Sequence, residues 1–234
     1  MMGEHIVSSF DDDLIELRAR IAEMGGLAET LLAESLDSVE KRDVELADAV
    51  IARDKRLDAL EFEVERLATQ IIARRQPLAQ DLRLVISAMK LATTLERVGD
   101  LAKNIAKRGK HLAKASPVRI SGSVVRMGRQ AQAQLTEVLD AYVKSDVDSA
   151  ISVWRRDVEI DDAYNAMFRE LVTYMMEDPR TISLGSQLLF IAKNLERIGD
   201  HATHVAEMVY YTVNGEPLGD DRPKGDPSDL EYQP

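Results

Sequence analysis

Apolar residues along most of the chain follow the three- and four-residue spacing of an amphipathic helix. Two such stripes lie in residues 50–71 and 91–105. Their members are Val50, Leu57, Leu60, Val64, Leu67 and Ile71 in the first stripe and Leu91, Leu95, Val98, Ala102 and Ile105 in the second. At about 100° of rotation per residue, each set lies on one face of a helix, which predicts that the face is buried. No alternating apolar and polar run has the length of a strand, so we predict an all-α protein.

Prolines indicate where the predicted helices begin and end, because proline is tolerated at a helix start but not inside a helix. Pro77, Pro117 and Pro179 separate long stretches that contain no proline. The predicted helices cover residues 11–40, 44–75, 79–113, 121–144, 147–177 and 180–213. Helices of this length with short connections are typical of antiparallel bundles.

The sequence contains an internal repeat. A shift of 103 residues gives 15 identities in the 35 positions from 24 to 58. The matched pairs include Met24-Gly25 with Met127-Gly128, Asp43 with Asp146, Ala47 with Ala150, Asp54 with Asp157 and Asp58 with Asp161. Farther on, a shift of 100 aligns residues 95–100 with residues 195–200. Aspartate and glycine are disfavoured inside helices, so shared helical composition does not explain these matches. We infer a duplicated three-helix unit.

The duplication predicts two tandem three-helix bundles, covering residues 1–115 and 116–214, with a seam at residues 114–120. Residues 215–234 contain four of the seven prolines and mostly acidic charges. Such a segment cannot bury enough apolar surface to offset its ordering entropy, so we predict a flexible acidic tail.

Composition excludes several classes of protein. The 234 residues are 45% hydrophobic and carry a net charge of −11. That charge argues against nucleic acid or anionic lipid as a direct ligand. Cysteine is absent, which excludes a disulfide scaffold and a thiol nucleophile. The sequence shows neither a membrane-spanning stretch nor a secretory signal pattern. We therefore expect a cytoplasmic protein that does not insert into a membrane.

Four pairs of acidic residues, two in each repeat, are spaced four residues apart. They are Asp54/Asp58, Glu96/Asp100, Asp157/Asp161 and Glu196/Asp200. On a helix this spacing places like charges one turn apart, at a cost of about 0.2–0.5 kcal/mol unless a cation bridges them. Carboxylates are hard ligands suited to magnesium, manganese or iron. One reading is therefore one metal site per repeat, and the alternative is solvated helix faces.

The helical angles place these carboxylates away from the bundle centre. Glu96 and Asp100 lie nearly opposite the apolar stripe of their helix, and the second-helix pairs lie about 90° from theirs. We therefore expect all four pairs on the flank or outer surface. Buried di-iron enzymes use Glu-x-x-His pairs, which this sequence lacks. His201 and His204 follow Asp200 and are either further ligands or solvated side chains.

Two further patterns lie on the third helix of the repeats. Gly99 and Gly199, with Ala88, Ala92 and Ala102, form a strip of small residues that would let another helix approach closely. A basic cluster follows, and we interpret it as solvated C-terminal turns that complement the helix dipole. Its members are Lys103, Lys107, Arg108, Lys110, His111 and Lys114.

Several stretches resemble the PhoU family of bacterial phosphate-transport regulators. They are Met24-Gly25-Gly26-Leu27-Ala28-Glu29, Ile72-Ala73-Arg74-Arg75-Gln76-Pro77, Asp81-Leu82-Arg83, Leu95 to Asp100 and Ile191 to Thr203. The opening, His5-Ile6-Val7 with Phe10-Asp11, also resembles the start of the family. The resemblance covers residues 5–215 in order and leaves only the acidic tail outside. His204 departs from the family pattern, which has asparagine there.

The resemblance implies a cytoplasmic regulator, commonly a homodimer, that restrains the phosphate-starvation response when phosphate is plentiful. Its implied partners are the sensor histidine kinase of the phosphate two-component system and the ATPase subunit of the phosphate ABC transporter. Some family members bind iron or other divalent metals through Glu/Asp-x-x-x-Asp motifs. The matching residues here are the four acidic pairs, with magnesium, manganese, iron or zinc as the candidate ions.

Three functional hypotheses follow. A regulatory adaptor is favoured, because the sequence shows no nucleophile–base set and no glycine loop for phosphate, and we assign no catalytic residue. The alternative is a metal-dependent carboxylate-site enzyme of unknown substrate. The third is a purely structural scaffold, in which neutralising the acidic pairs would change neither function nor metal content.

Overall fold

A computed structural model describes residues 2–115 and 121–219, and it is helical throughout its ordered elements. The helices are α1 (Met2–Lys41), α2 (Val44–Arg75), α3 (Ala79–Ala113), α4 (Ser121–Lys144), α5 (Val147–Arg155), α6 (Asp157–Glu177) and α7 (Ile182–Asn214), with a 3₁₀ turn at Pro179–Thr181. These described residues contain no β-strand. The all-α prediction is therefore confirmed, and the bounds of α2, α3 and α4 match those predicted.

The helix predicted over residues 147–177 is broken at Arg156, so the prediction of one continuous helix there is wrong. Arg156 has φ −88° and ψ 5°, and the buried Gln134 of α4 donates a hydrogen bond to its carbonyl oxygen at 3.0 Å. The first repeat has Leu31 at the position of Gln134. Leucine cannot bond a free carbonyl, so the polar side chain supports the break in the second repeat alone.

The turn between the first two helices of each repeat has the same construction. Arg42 and Ser145 have φ values of 58° and 54°. The following residues are the N-caps: Asp43 accepts from Leu46 N at 2.9 Å, and Asp146 accepts from Ser149 N at 3.1 Å. An aspartate in this position satisfies an amide group that a helix start leaves unpaired. Capping therefore explains the repeated aspartates at 43 and 146.

Helices α1, α2 and α3 pack into one bundle, and α4 to α7 form the second, in which α5 and α6 together correspond to α2. The apolar stripes predicted for α2 and α3 are buried throughout. The described chain therefore consists of two three-helix bundles, and the first is built around the predicted stripes.

The bundles meet through contacts of α1 with α4 and of α3 with α7. A methyl group added at Gly128 would contact the Leu36 side chain, and one added at Gly25 would lie 3.5 Å from Leu139 Cδ1. The two contacts are equivalent, because both pairs of residues are related by the 103-residue shift. The first helices of the repeats thus cross with approximate twofold symmetry.

Contacts of α3 with α7 add polar links between the bundles. Arg108 donates a hydrogen bond to Gln187 Oε1 at 3.0 Å, and its guanidinium lies 4.2 Å from the centre of the Phe190 ring. At the other end, Thr212 Oγ1 donates to Ser87 Oγ at 2.8 Å. Together with the glycine crossing, these contacts hold the bundles side by side.

Helix α7 ends at Gly215, which has φ 81°. Most of the predicted tail, residues 220–234, and residues 116–120 of the predicted seam lie outside the described residues. Within the described part of the chain, no helix combines the length and the apolar character needed to cross a membrane.

We expect Gly128→Ala to destabilise the protein by about 1–2 kcal/mol, because the added methyl group overpacks the buried Leu36 side chain. The control is Gly26→Ala, where nothing lies within 4 Å of the added atom, and helix propensity predicts a gain of about 0.5–1 kcal/mol. Urea unfolding of both variants measures the difference. A gain of stability in both would show that the crossing of α1 and α4 is not tightly packed.

Candidate metal site

The first-repeat site lies where α2 packs against α3. Asp54 of α2 is 3% exposed. Lys103 of α3 places its Nζ 2.5 Å from Asp54 Oδ2 and 2.5 Å from Asp100 Oδ1. Burial alone lowers the pKa of Lys103, but the hydrogen bonds to Asp100 and Asp54 outweigh it and raise the pKa overall. Two carboxylates from neighbouring helices therefore share one ammonium group.

Gly99 permits this close approach of α2 to α3. A methyl group there would contact the Leu57 side chain and lie 3.3 Å from Asp54 Oδ1. In the second repeat, a methyl group on Gly199 would lie 3.2 Å from Ile160 Cγ2. The two glycines of the small-residue strip predicted from the sequence thus lie where the preceding helix packs.

Three other first-repeat carboxylates influence the charge of Glu96, which is mostly buried. Burial raises the pKa of Glu96, Asp100 reinforces the effect, and Glu61 and Asp58 add to it from α2. Arg97 opposes the shift, with its Nε 3.5 Å from Glu96 Oε2. Asp58, Glu61, Glu96 and Asp100 form an acidic cluster at the edge of the first bundle, which we call the first acidic cluster.

In the second repeat the buried aspartate has a different partner. Asp157 is 2% exposed and is the first residue of α6. Thr203 Oγ1 donates a hydrogen bond to Asp157 Oδ1 at 2.8 Å and lies 3.1 Å from the carbonyl oxygen of Gly199. Thr203 occupies the position that Lys103 has in the first repeat. A neutral hydroxyl thus replaces an ammonium group.

The second acidic cluster consists of Asp161, Glu196 and Asp200. The Glu196 side chain is 14% exposed, and its Oε1 lies 2.7 Å from Lys193 Nζ. Burial raises the pKa of Glu196, Lys193 opposes the shift, and Asp200 and Asp161 reinforce it. The other oxygen, Oε2, is buried and has no hydrogen-bond partner among the described residues.

The histidines following Asp200 have separate environments. His201 is partly buried, and burial lowers its pKa, while Asp200 opposes the change. His204 is exposed, and its Nδ1 lies 3.2 Å from Glu207 Oε2. Trp154 also donates to Glu207 Oε1, at 3.3 Å. The described contact of His204 is therefore to Glu207.

The expectation that all four acidic pairs lie on the flank or outer surface is wrong for Asp54 and Asp157, which are buried. The helical angles refer each residue only to its own helix, whereas Gly99 lets α2 lie close enough to α3 to cover Asp54. Lys103 is also not a solvated end-of-helix lysine, since its side chain is only 22% exposed. Two features of the sequence could have indicated the role of Lys103. It lies three residues after Asp100, and Thr203 occupies the matching position of the second repeat.

Across residues 10–115 and 122–219, no three histidine, aspartate or glutamate side chains converge closely enough to hold one metal ion. The two repeats differ in how well they suit a cation. Lys103 already supplies the positive charge between Asp54 and Asp100, whereas the second repeat has a buried Glu196 oxygen with an unused lone pair. Neither donor set is complete, because three converging ligands are absent from both repeats within these residues.

The fold and these sites define a protein of two three-helix bundles related by duplication. Each bundle has an acidic motif at an equivalent position. The family model of the PhoU domain matches residues 21–109 and 124–209, one match per bundle. The chain therefore belongs to the PhoU family.

Similar proteins match nearly the whole chain. A phosphate-specific transport system accessory protein PhoU homolog of Caulobacter vibrioides is 51% identical over 96% of this chain and 98% of its own length. The crystal structure of PhoU from Pseudomonas aeruginosa is 39% identical, with a TM-score of 0.86 over 88% of this chain and 100% of that one. The phosphate transport system regulatory protein PhoU from Streptococcus pneumoniae is 29% identical, with a TM-score of 0.79 over 90% and 99%.

We expect Lys103→Met to lower the free energy of unfolding by about 2–4 kcal/mol, because it leaves the buried Asp54 carboxylate without its cation. Adding Asp54→Asn should restore part of the loss, since the amide carries no charge. The control is Lys107→Met, at an exposed position on the same helix. Denaturant unfolding in a double-mutant cycle measures the coupling. Equal effects at positions 103 and 107 would contradict the pairing.

Proposed function

We propose that this protein is a cytoplasmic negative regulator of phosphate uptake and of the phosphate-starvation response. It acts as an adaptor between the ATPase subunit of the phosphate ABC transporter and the sensor histidine kinase of the phosphate two-component system. The observation that carries the proposal is a relative named as a phosphate-specific transport system accessory protein. It matches both repeats of this chain along 98% of the relative's own length. The pneumococcal structure, described as a regulatory protein, supports it.

The surface of the two bundles is suited to protein contacts. Large apolar side chains are exposed on both bundles and are accessible to a partner. They include Phe62 and Leu78 in the first bundle and Met176, Ile182 and Phe190 in the second. The acidic clusters add charge that a basic partner surface would complement. Two bundles held side by side thus offer separate surfaces to two partners.

We favour regulation over the metal-dependent enzyme because the relatives named for an accessory role match this chain along nearly its full length. The resemblance also implies a homodimer, which stays a prediction. Size-exclusion chromatography with light scattering tests it.

A divalent cation at the acidic clusters is part of the proposal. The candidate ligands in the second repeat are Asp157, Asp161, Glu196 and Asp200. The first-repeat candidates Asp54, Asp58, Glu96 and Asp100 include two carboxylates that Lys103 already bridges. When bound, the ion would supply positive charge that neutralises the acidic flank. Glu196 would offer its buried Oε2, and Asp161 and Asp200 lie close enough to influence its charge.

Deleting the gene should leave a secreted-phosphatase reporter high in cells grown with abundant phosphate, because the restraint on the starvation response is lost. Complementation with the intact chain should return the reporter to its low level. Purified transporter ATPase subunit and the cytoplasmic part of the kinase, each on a biosensor surface, test the adaptor role directly. An unchanged reporter in a strain with a single gene copy would refute the regulatory role.

Glu196→Gln with Asp200→Asn should lower the bound metal per chain at least several-fold, because two charged oxygen donors are lost. The matched control is Glu159→Gln with Glu170→Gln, at exposed positions of α6. Elemental analysis of protein dialysed against manganese or iron measures the content. Equal content in both variants would remove the second acidic cluster from the metal proposal, without affecting the regulatory one.

A further inference from the structure

The most informative difference between the repeats is at positions 103 and 203, which the 100-residue shift places in register. Both side chains contact the buried aspartate of the preceding helix. Lys103 contacts Asp54 at 2.5 Å, and Thr203 contacts Asp157 at 2.8 Å. The first repeat therefore has a permanent positive charge where the second has a hydroxyl group.

Lys103 bridges its carboxylates as a metal ion would. Its Nζ lies 2.5 Å from one oxygen of Asp54 on α2 and 2.5 Å from one oxygen of Asp100 on α3. An ion between these two oxygens would therefore occupy the space of the ammonium group.

The second repeat places its buried aspartate at a helix start. The helix is broken at Arg156, so Asp157 lies in the first turn of α6. A helix N-terminus carries a partial positive charge, which stabilises a carboxylate there. In the first repeat, α2 runs unbroken through Asp54, so no helix start is available and the charge must come from a side chain.

We infer that Lys103 is a built-in cation that takes the place of a metal ion between Asp54 and Asp100 in the first repeat. The inference deepens the metal part of the proposed function and rests on it. Replacing Lys103 by the threonine of the second repeat should create a site.

The test is manganese binding to the full chain, followed by electron paramagnetic resonance of free Mn²⁺. Lys103→Thr should bind one Mn²⁺ more per chain than the wild type, because Asp54 and Asp100 become available. The matched control, Lys103→Thr with Asp54→Asn, has the same cavity but lacks one carboxylate, and should lose that gain. Because Lys103→Thr is expected to be less stable, its melting temperature is also measured. Added Mn²⁺ should raise it more than that of the wild type.

The possible results distinguish this inference from the metal site proposed above for the second repeat. One extra ion in Lys103→Thr supports the inference, even if the wild type binds none and the proposed second-repeat site is wrong. Equal binding by the wild type and Lys103→Thr overturns it, as does an equal gain in the Asp54→Asn control. Wild-type binding that is lost in Asp54→Asn and kept in Glu196→Gln also overturns it, because the metal then lies in the first repeat.

Discussion

The buried aspartate on the second helix of each bundle is the constraint on which the rest of the site depends. Asp54 lies 3.3 Å from the position of a methyl group on Gly99, and Asp157 bonds the Thr203 hydroxyl, which is 3.1 Å from the Gly199 carbonyl oxygen. An ionised carboxylate removed from water costs several kcal/mol unless a charge or hydrogen-bond donors compensate it. The surrounding structure must therefore provide that compensation, and the two repeats provide it in different ways.

The first repeat uses a side chain and the second uses the backbone. In the first, α2 is continuous and Lys103 forms the ion pair. In the second, Gln134 supports a break at Arg156, and Asp157 gains a helix N-terminus together with the Thr203 hydroxyl. Gln134, which supports the break, and the neutral Thr203 thus both contribute to the way in which the second repeat compensates Asp157. Duplication preserved the aspartate, while its compensation diverged.

The divergence at the sites contrasts with the symmetry of the bundle contact. Gly25 against Leu139 and Gly128 against Leu36 are equivalent pairs, and the pairs Arg53 with Glu34 and Arg156 with Glu137 repeat with the same 103-residue shift. Both bundles therefore keep the same internal ion pair, and they contact each other through equivalent residues. The acidic clusters lie at equivalent places in the two bundles, but with different local charge. For a protein of the PhoU family, this gives two similar surfaces that are not interchangeable.

The sequence by itself determined the helices, the duplication and the buried stripes, because these depend on local periodicity and on repeated residues. It also identified the glycines at 99 and 199 and the aspartates at 43 and 146, although the capping role of those aspartates required the structure. The break at Arg156 was not predictable from periodicity, since it depends on a hydrogen bond from Gln134 on another helix.

Tertiary structure alone decided the burial of Asp54 and Asp157 and the role of Lys103. A helical wheel assigns each residue an angle on its own helix, and it contains no information about how closely the next helix approaches. Gly99 removes the side chain that would keep α2 away, so a position on the flank becomes a buried one. Lys103 then lies within 2.5 Å of two carboxylates from two helices. That contact spans 49 residues of sequence, and only the packing of α2 against α3 brings its members together.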